Sequence, residues 1–453
     1  MRLHVWYLLN MGLTAPPKQA THVRSTMGAA LSELASVSLT RYKAFRTEQQ
    51  LEIRPITLLF GHNSVGKSAA LRLCKVLSDA ASYDPAGRFP GAVLNYSSEA
   101  LRGATLKEIV HAGTPGSGLA FSIRWTDGVL YEFEIKQDVR GLGEIVASFS
   151  LGGPDSSYPF SASDPAANLY EVDCKGRQFS GEITFSGIRP TLSDEGWPSE
   201  VKAALAVVCE RLVDLGGDVH WISAVRSQPP RVYMVEPGIQ TTIKPDGTGT
   251  AEALRASWLM NDGVAEEVSE WLSRICGCKL SFASTDAEIL LGRQWFPFNV
   301  TSVDGGSEIA VRDVGEGISQ ALPVITLCKL ASKGRLGNHP VLAIEQPELH
   351  LHPKAITELA NGLIECIKQD TPAKHIIETH SESFLLAIQV ALLEGDIKPA
   401  DVIVHWVSND SDGATLTKIV FDDQGYPSTG WPAGVFREAL EQARRVSELR
   451  LNR

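Results

Sequence analysis

An apolar segment ending at Phe60 is followed directly by Gly61-His-Asn-Ser-Val-Gly66-Lys67-Ser68, which fits the pattern G-x-x-x-x-G-K-[ST]. Glycines in such a loop let successive backbone N–H groups point at phosphate oxygens. Lys67 would hold the β and γ phosphates, and Ser68 would ligate Mg²⁺. A glycine-rich turn with a chance Lys-Ser is the alternative. The predicted nucleotide contacts in this loop are Gly61, Asn63, Ser64, Val65, Gly66, Lys67 and Ser68.

A second candidate group ends the apolar segment 341–344, within the sequence IEQPELHLHP. A carboxylate at the end of a buried strand, here Glu345, can reach the magnesium shell beside Ser68. A core strand that carries an incidental glutamate is the alternative. The sequence predicts Ser68 and Glu345 as metal ligands, with ATP and Mg²⁺ as cofactors.

The residue after Glu345 is Gln346, where enzymes that hydrolyse a nucleotide with such a loop and acidic strand usually carry a second carboxylate. A neutral amide can orient a water molecule but cannot accept its proton. Turnover is therefore expected to be slow, unless Glu348, His380 or a partner chain supplies the base. These four residues form the predicted catalytic group.

Two weaker signals occur in the remaining sequence. The segment DVGEGISQ opens a helical pattern with small residues, which expose backbone amides suited to a γ-phosphate. It adds Gly315, Gly317 and Gln320 to the predicted nucleotide contacts. The segment IIETHSE ends a strand at His380, which could contact the γ-phosphate or the attacking water. A histidine at a strand end is more often structural, but its position after the acidic strand favours function.

The elements that must position these groups follow from the hydrophobic patterning. Residues 51–60 end in a continuous apolar run, typical of a strand covered on both faces, and residues 68–80 have a helical pattern. Alternation between residues 119 and 185 predicts a meander of antiparallel strands. Helices are expected at 200–215 and 250–276, and strands at 341–344, 375–378 and 402–407. Layers of helices and apolar strands predict an α/β fold.

In this order the motifs resemble the ATP-binding-cassette (ABC) type of ATPase, in the cytosolic branch with SMC proteins, RecF-like repair ATPases and OLD-like defence ATPases. The correspondences are Walker A at 61–68, the signature motif at 314–320, Walker B at 341–345 and the switch histidine at His380. The segments DVGEGISQALP, IEQPELHLHP and IIETHSESFLL look most like bacterial AAA-family ATPases of defence-associated gene clusters. The resemblance implies a P-loop NTPase core with a β-rich first lobe and a helical subdomain.

The domain organisation combines this resemblance with the patterning. The expected parts are an N-terminal tail or extension (1–36), a first ATPase lobe with Walker A and antiparallel strands (37–195), a helical insert (196–310) and a second ATPase lobe with the other motifs (311–453).

In similar ATPases two chains sandwich ATP, and each signature motif completes the other chain's site. One chain has one copy of each motif, so a composite site requires a second copy. The resemblance implies a homodimer or larger homo-oligomer that acts as a nucleotide switch on a separate effector protein in anti-phage defence.

Two positions depart from the pattern of the wider class. Gly315 stands where a signature serine often contacts phosphate, which removes a hydroxyl donor but leaves backbone amides. Gln346 is the other, and it recurs in the most similar-looking group. The pair His350 and His352 occupies the place of the D-loop, which contacts the partner chain in similar ATPases; a metal-binding pair is the alternative.

The overall composition argues against several other classes of protein. The formal net charge of the 453 residues is −11, so nucleic acid is possible but not indicated as a partner. A DNA-repair ATPase that binds nucleic acid directly is nevertheless the second hypothesis. The seven scattered cysteines suggest a reducing cytosol, and no run reaches the ~20 apolar residues of a membrane helix, so a cytoplasmic protein without a membrane partner is expected.

Three further segments have more than one interpretation. Tyr42 and Phe45 could stack on adenine or be core aromatics. Arg226 could lie near the phosphates, bind a partner or belong to a surface loop. Asp410 and Asp412 could imitate the metal site of an OLD-type nuclease, but a hairpin with a polar turn fits this segment better.

Overall fold

The computed structural model describes residues 32–82, 92–138, 143–154, 156–164, 167–192, 196–235, 242–282, 288–290, 293–369, 372–431, 444–445 and 448. Residues 1–31 of the predicted N-terminal tail lie outside this set. In the part of the chain that is described, no helix has the length and apolar character needed to cross a membrane.

The strands, in chain order, are β1 (Leu34–Thr40), β2 (Gln49–Glu52), β3 (Ile56–Gly61), β4 (Leu119–Trp125), β5 (Leu130–Gln137), β6 (Glu144–Gly153), β7 (Ser156–Asp164), β8 (Leu169–Cys174), β9 (Arg177–Ser186), β10 (Arg189–Leu192), β11 (Val219–Ile222), β12 (Val232–Met234), β13 (Cys278–Ser281), β14 (Glu288–Leu290), β15 (Arg293–Pro297), β16 (Asn299–Ser302), β17 (Ile309–Ala310), β18 (Val341–Glu345), β19 (Lys374–Glu378), β20 (Val402–Asp410) and β21 (Gly413–Ile419).

The helices are α1 (Lys67–Ala81), α2 (Leu106–Ile109), α3 (Ser199–Asp218), α4 (Thr250–Met260), α5 (Val264–Cys276), α6 (Glu316–Ser332), α7 (Pro353–Ile367) and α8 (Glu382–Glu394). Short 3₁₀ turns occur at Glu99–Leu101, Val311–Asp313 and Pro399–Asp401.

An antiparallel sheet dominates the first half of the chain. Within the described residues it has nine strands in the order β10-β9-β8-β7-β6-β5-β4-β1-β2. Burial alternates along β4, as expected for a strand with one face on a core. The meander predicted for residues 119–185 is confirmed, and β1 and β2 extend it beyond the predicted segment.

The central sheet positions the candidate site. Its described strands follow the order β11-β18-β19-β3-β20-β21, and neighbours are parallel except for the antiparallel hairpin β20–β21. The predicted strands at 341–344, 375–378 and 402–407 all lie in this sheet. The hairpin interpretation of residues 410–412 is confirmed, because Asp410 pairs with Gly413 at the turn.

The segment 196–310 is not purely helical. It contains α3, α4 and α5, but β11 pairs in parallel with β18 in the central sheet, and β12 to β17 form parts of two small sheets. The predicted helix 250–276 is interrupted: Asn261 and Gly263 have φ angles of 52° and 89°, and they end α4 and begin α5. The predicted boundaries of the lobes stay predictions.

The two faces of the central sheet serve two different cores. On β3, Leu59 belongs to the core shared with α1 and the antiparallel sheet, whereas Leu58 belongs to the core built with α4 to α8. On β18, Ala343 and Ile344 divide in the same way. Side chains alternate between the faces of a strand, so a continuous apolar run fills both cores. The polar strand ends lie beyond these cores.

Candidate nucleotide site

The loop between β3 and α1 adopts a backbone that its glycines permit. Gly61 and Gly66 have φ angles of 150° and 113°, and Ser64 between them is left-handed at 62°. A Cβ atom on Gly61 would lie 2.3 Å from the carbonyl oxygen of Val407, so no other residue fits there. Gly66 precedes the first residue of α1, Lys67, so the loop leads directly into a helix N-terminus. Backbone amides and the helix dipole at such a place favour an anion.

Lys67 lies inside this loop. Its side chain is 3% exposed, and its Nζ donates to the carbonyl oxygens of Gly61 at 3.0 Å and His62 at 2.5 Å. Burial lowers the pKa of Lys67, while the carboxylates of Glu378 and Glu348 act in the opposite direction. The amine is therefore bonded to the main chain of the loop in which the sequence predicts phosphate binding.

Ser68 contacts a carboxylate, Glu378, that lies outside the Walker A, signature and Walker B motifs. Its Oγ donates to Oε1 of Glu378 at 2.9 Å. Glu378 ends β19, which lies between β3 and β18, so it is one strand nearer to the loop than Glu345. Burial and the charge of Glu345 raise the pKa of Glu378, whereas Ser68, Lys67 and Arg72 lower it. A carboxylate two residues before His380 at a predicted strand end was the available signal.

Glu345 is held by other partners. Arg72 donates to it twice, from Nε to Oε1 at 2.5 Å and from Nη2 to Oε2 at 2.8 Å. Trp221 donates from Nε1 to Oε1 at 2.9 Å, and Nη2 of Arg102 lies 3.8 Å from Oε2. Ser68 thus bonds Glu378, while Glu345 bonds Arg72 and Trp221, and the metal pair Ser68–Glu345 stays a prediction.

Gln346 follows directly at a sharp bend. Its φ angle is 40°, a left-handed value that is unusual for a residue with a side chain. Its backbone N–H donates to the carbonyl oxygen of Glu378 at 2.8 Å. The bend thus fixes the end of β18 against β19, and the catalytic role of Gln346 stays a prediction.

Glu348 and His380 meet next to this bend. Oε1 of Glu348 accepts hydrogen bonds from Thr379 Oγ1 and from the His380 backbone N–H, both at 2.8 Å. Its Oε2 is buried and has no hydrogen-bond partner among the described residues. Burial raises the pKa of Glu348. Burial and the charge of Lys67 lower the pKa of His380, whose ring bonds the backbone of Gly61, so both predicted catalytic side chains lie close to the loop.

Arg226 joins the strand end to α6. It is 5% exposed, and its Nη2 donates to the carbonyl oxygen of Glu345 at 2.6 Å, while Nη1 donates to that of Gln320 at 3.2 Å. In return, the Gln320 side chain donates to the Arg226 carbonyl oxygen at 3.2 Å. The surface-loop interpretation of Arg226 is wrong, because its side chain is a buried bridge.

The corner at the start of α6 is formed by glycines in two different environments. Gly315 has a φ angle of 129°, and a Cβ atom there would meet nothing within 4 Å. A Cβ atom on Gly317 would lie 2.4 Å from the carbonyl oxygen of His350. The sequence also predicts Gln320 in this corner as a nucleotide contact, but that side chain is only 4% exposed and bonds Arg226. Gln320 therefore supports the corner from behind.

The remaining sequence alternatives are decided by burial and by contacts. Tyr42 and Phe45 are fully buried, which confirms them as core aromatics. His352 caps α7, and Nε2 of His350 lies 4.0 Å from Glu316 Oε1. Groups of three or more His, Cys, Asp or Glu suited to a metal are absent among the described residues, so the histidine pair gains no metal partner there.

Comparison with protein families gives a match over part of the chain. Residues 300–387 match the family described as "AAA domain, putative AbiEii toxin, Type IV TA system". This segment is similar to part of an AAA-type ATPase domain. The matched segment contains the corner at Gly315 and the strand ends at Glu345 and Glu378, while the phosphate loop precedes it. Together with the strand order and the loop, this match establishes a P-loop NTPase fold of mixed α/β type.

Solved structures similar to the chain include three SMC head domains. The SMC head bound to the C-terminal winged-helix domain of ScpA is 12% identical with a TM-score of 0.45, covering 86% of this chain and 98% of that chain. The SMC head from Thermotoga maritima is 11% identical with a TM-score of 0.38, covering 85% and 98%. The Pyrococcus furiosus SMC head, which has an extended coiled coil and is bound to the C-terminal domain of ScpA, is 10% identical with a TM-score of 0.42, covering 92% and 99%. The comparison with curated proteins finds no match.

Proposed function

We propose that this chain is an ABC-type ATPase switch that binds ATP with Mg²⁺ and closes over it as a homodimer or larger homo-oligomer. The observation that supports this most directly is the open corner at Gly315. A Cβ atom there would meet nothing within 4 Å, whereas Lys67 and Ser68 bond only their own loop and Glu378 in the described residues. The corner is thus available for the phosphates held by a second copy, and the loop is available for those of its own.

Hydrolysis in this switch is slow or conditional. Gln346 supplies no base, and Glu348 is the alternative that we propose, because one of its buried oxygens has no partner among the described residues. A carboxyl whose pKa is raised by burial is a better proton acceptor than an exposed carboxyl. Slow turnover would keep the ATP-bound assembly in place long enough to hold a separate effector protein.

The expected role in bacterial anti-phage defence has one further support. The matched family description names a putative AbiEii toxin and a type IV TA system. We therefore also propose a partner protein that the ATP-bound assembly holds and releases in the cytoplasm.

The test of assembly is the solution mass of the purified chain with ATP and Mg²⁺, measured by light scattering. Wild type is expected to double its mass or more, and Lys67→Ala to stay at the mass found without ATP. Gly315→Asp places a negative charge in the corner and is expected to prevent assembly, whereas Gly315→Ala shares its backbone strain without the charge. The exposed Lys107→Ala is the control for loss of a lysine. A wild-type chain that binds ATP without any change of mass would contradict the proposal.

A further inference from the structure

Glu378 has the position that a metal-binding carboxylate at the phosphate loop requires. Its strand pairs directly with β3, and Glu378 lies opposite Leu59, two residues before the loop begins at Gly61. The Ser68 hydroxyl, which the loop motif assigns to magnesium, already contacts its Oε1. The two oxygen ligands that the motif needs are therefore adjacent.

The second oxygen of Glu378 adds an independent observation. The residue is 3% exposed, and its Oε2 is buried without a hydrogen-bond partner in the described part of the chain. A buried acceptor without a partner costs free energy, and more so when it is charged. A cation seated between the carboxylate and the phosphates would remove that cost.

Glu345 has no carboxylate oxygen without a hydrogen-bond partner. Both of its oxygens accept hydrogen bonds from Arg72, and Oε1 accepts a further one from Trp221. A carboxylate offers about four lone-pair sites, so a metal bound at Glu345 would lie directly beside the guanidinium of Arg72. The Arg72 side chain is only 8% exposed, so water would screen the repulsion between the two cations little.

We propose that Glu378 and Ser68 hold the Mg²⁺ of the bound nucleotide, and that Glu345 is the fixed counter-ion of Arg72. This inference rests on the proposed function, because it requires bound nucleotide. Mg²⁺ is usually held by one or two carboxylates together with substrate phosphates and water, so a single glutamate and a hydroxyl are a sufficient protein contribution.

The experiment compares nucleotide affinity with and without the metal. The β,γ-imido analogue of ATP is titrated calorimetrically in excess Mg²⁺ and in EDTA. The Kd in EDTA divided by the Kd in Mg²⁺ gives the magnesium dependence. In Glu378→Gln this ratio is expected to fall at least tenfold, while the Kd in EDTA stays equal or tightens because a negative charge beside the phosphates is lost. The exposed strand residue Glu171 provides the matched control, and Glu171→Gln is expected to behave as wild type.

The arm with Glu345 separates the two carboxylates. Glu345→Gln is expected to keep the wild-type ratio; if this variant fails to fold, the double variant Arg72→Met with Glu345→Gln replaces it. A wild-type ratio in Glu378→Gln, or a ratio lost in the Glu345 arm only, would overturn the assignment while leaving nucleotide binding intact. A wild-type chain that binds no nucleotide in either buffer would overturn the proposed function itself.

Discussion

The glutamates that end β18 and β19 are neighbours in register, yet their carboxylates differ in the number of hydrogen bonds that they accept. Glu345 and Glu378 face each other across the two strands, and they are 1% and 3% exposed. Glu345 is bonded on both oxygens by Arg72 and Trp221, whereas Glu378 accepts one hydrogen bond, from Ser68, and its Oε2 has no partner among the described residues. Strand position and burial are nearly the same, so the donors that other elements bring decide which carboxylate can take a ligand.

The largest expected effect comes from breaking the ion pair between Arg72 and Glu345 at the end of β18. Arg72→Met removes the two-point partner of the buried Glu345 and leaves only the exposed Arg102, at 3.8 Å, and we expect a loss of about 3–5 kcal/mol in the free energy of unfolding. The measurement is the urea midpoint at neutral pH. The double variant Arg72→Met with Glu345→Gln should recover most of the loss, because the uncompensated charge is gone. Equal destabilisation in the single and double variants would show that packing, and not charge, holds this end together.

A second change asks whether the end of β18 can be made catalytic. Gln346→Glu keeps the shape of the side chain but adds a group that can accept a proton from water. General bases contribute 10²- to 10⁴-fold, and we expect about a 100-fold faster ATP turnover with unchanged nucleotide affinity. Steady-state phosphate release measures this, with Glu171→Gln as the control. Equal turnover in wild type and Gln346→Glu would remove the argument that a base is missing.

The smallest expected effect is a pH dependence of the free energy of unfolding that arises from Glu378, at the end of β19. Burial, and then the charge of Glu345, raise the pKa of Glu378 in the folded protein. Ionisation of Glu378 therefore costs the folded state free energy above that raised pKa. The cost vanishes below the pKa of the unfolded chain, about 4.3 for a glutamate.

In EDTA, Glu378→Gln should accordingly be more stable than wild type at high pH, and the difference in urea midpoint should close as the pH falls toward about 4. The same series on Glu171→Gln should show no such trend. If wild type instead became more stable than Glu378→Gln as the pH rises, the raised pKa of Glu378 in the folded protein would be contradicted.

The sequence predicts local features of this molecule better than it predicts the partners of its buried charges. The phosphate loop from Gly61 to Ser68 is a continuous motif, so its glycines and lysine are found by inspection. The contacts Ser68–Glu378 and Arg72–Glu345 join residues 310 and 273 positions apart. Hydrophobic patterning predicted β18 and β19 as strands but not their order in the sheet, and that order decides which glutamate lies beside the loop.

The same limit applies to Gln320. Its place after two glycines predicts a nucleotide contact, and what the sequence does not reveal is that helical periodicity turns the side chain inward toward Arg226. The break between α4 and α5 had a local signal in Asn261-Asp262-Gly263, which the pattern of apolar residues on either side concealed.

The bridge through Arg226 has a mechanical consequence. The Arg226 guanidinium donates to the Gln320 carbonyl oxygen in α6, behind the glycine corner. It also donates to the Glu345 carbonyl oxygen at the end of β18. Neither piece can slide without stretching these bonds or dragging the other piece along. A molecule that displaced the corner would therefore also displace the end of β18 and the residue that follows it, Gln346.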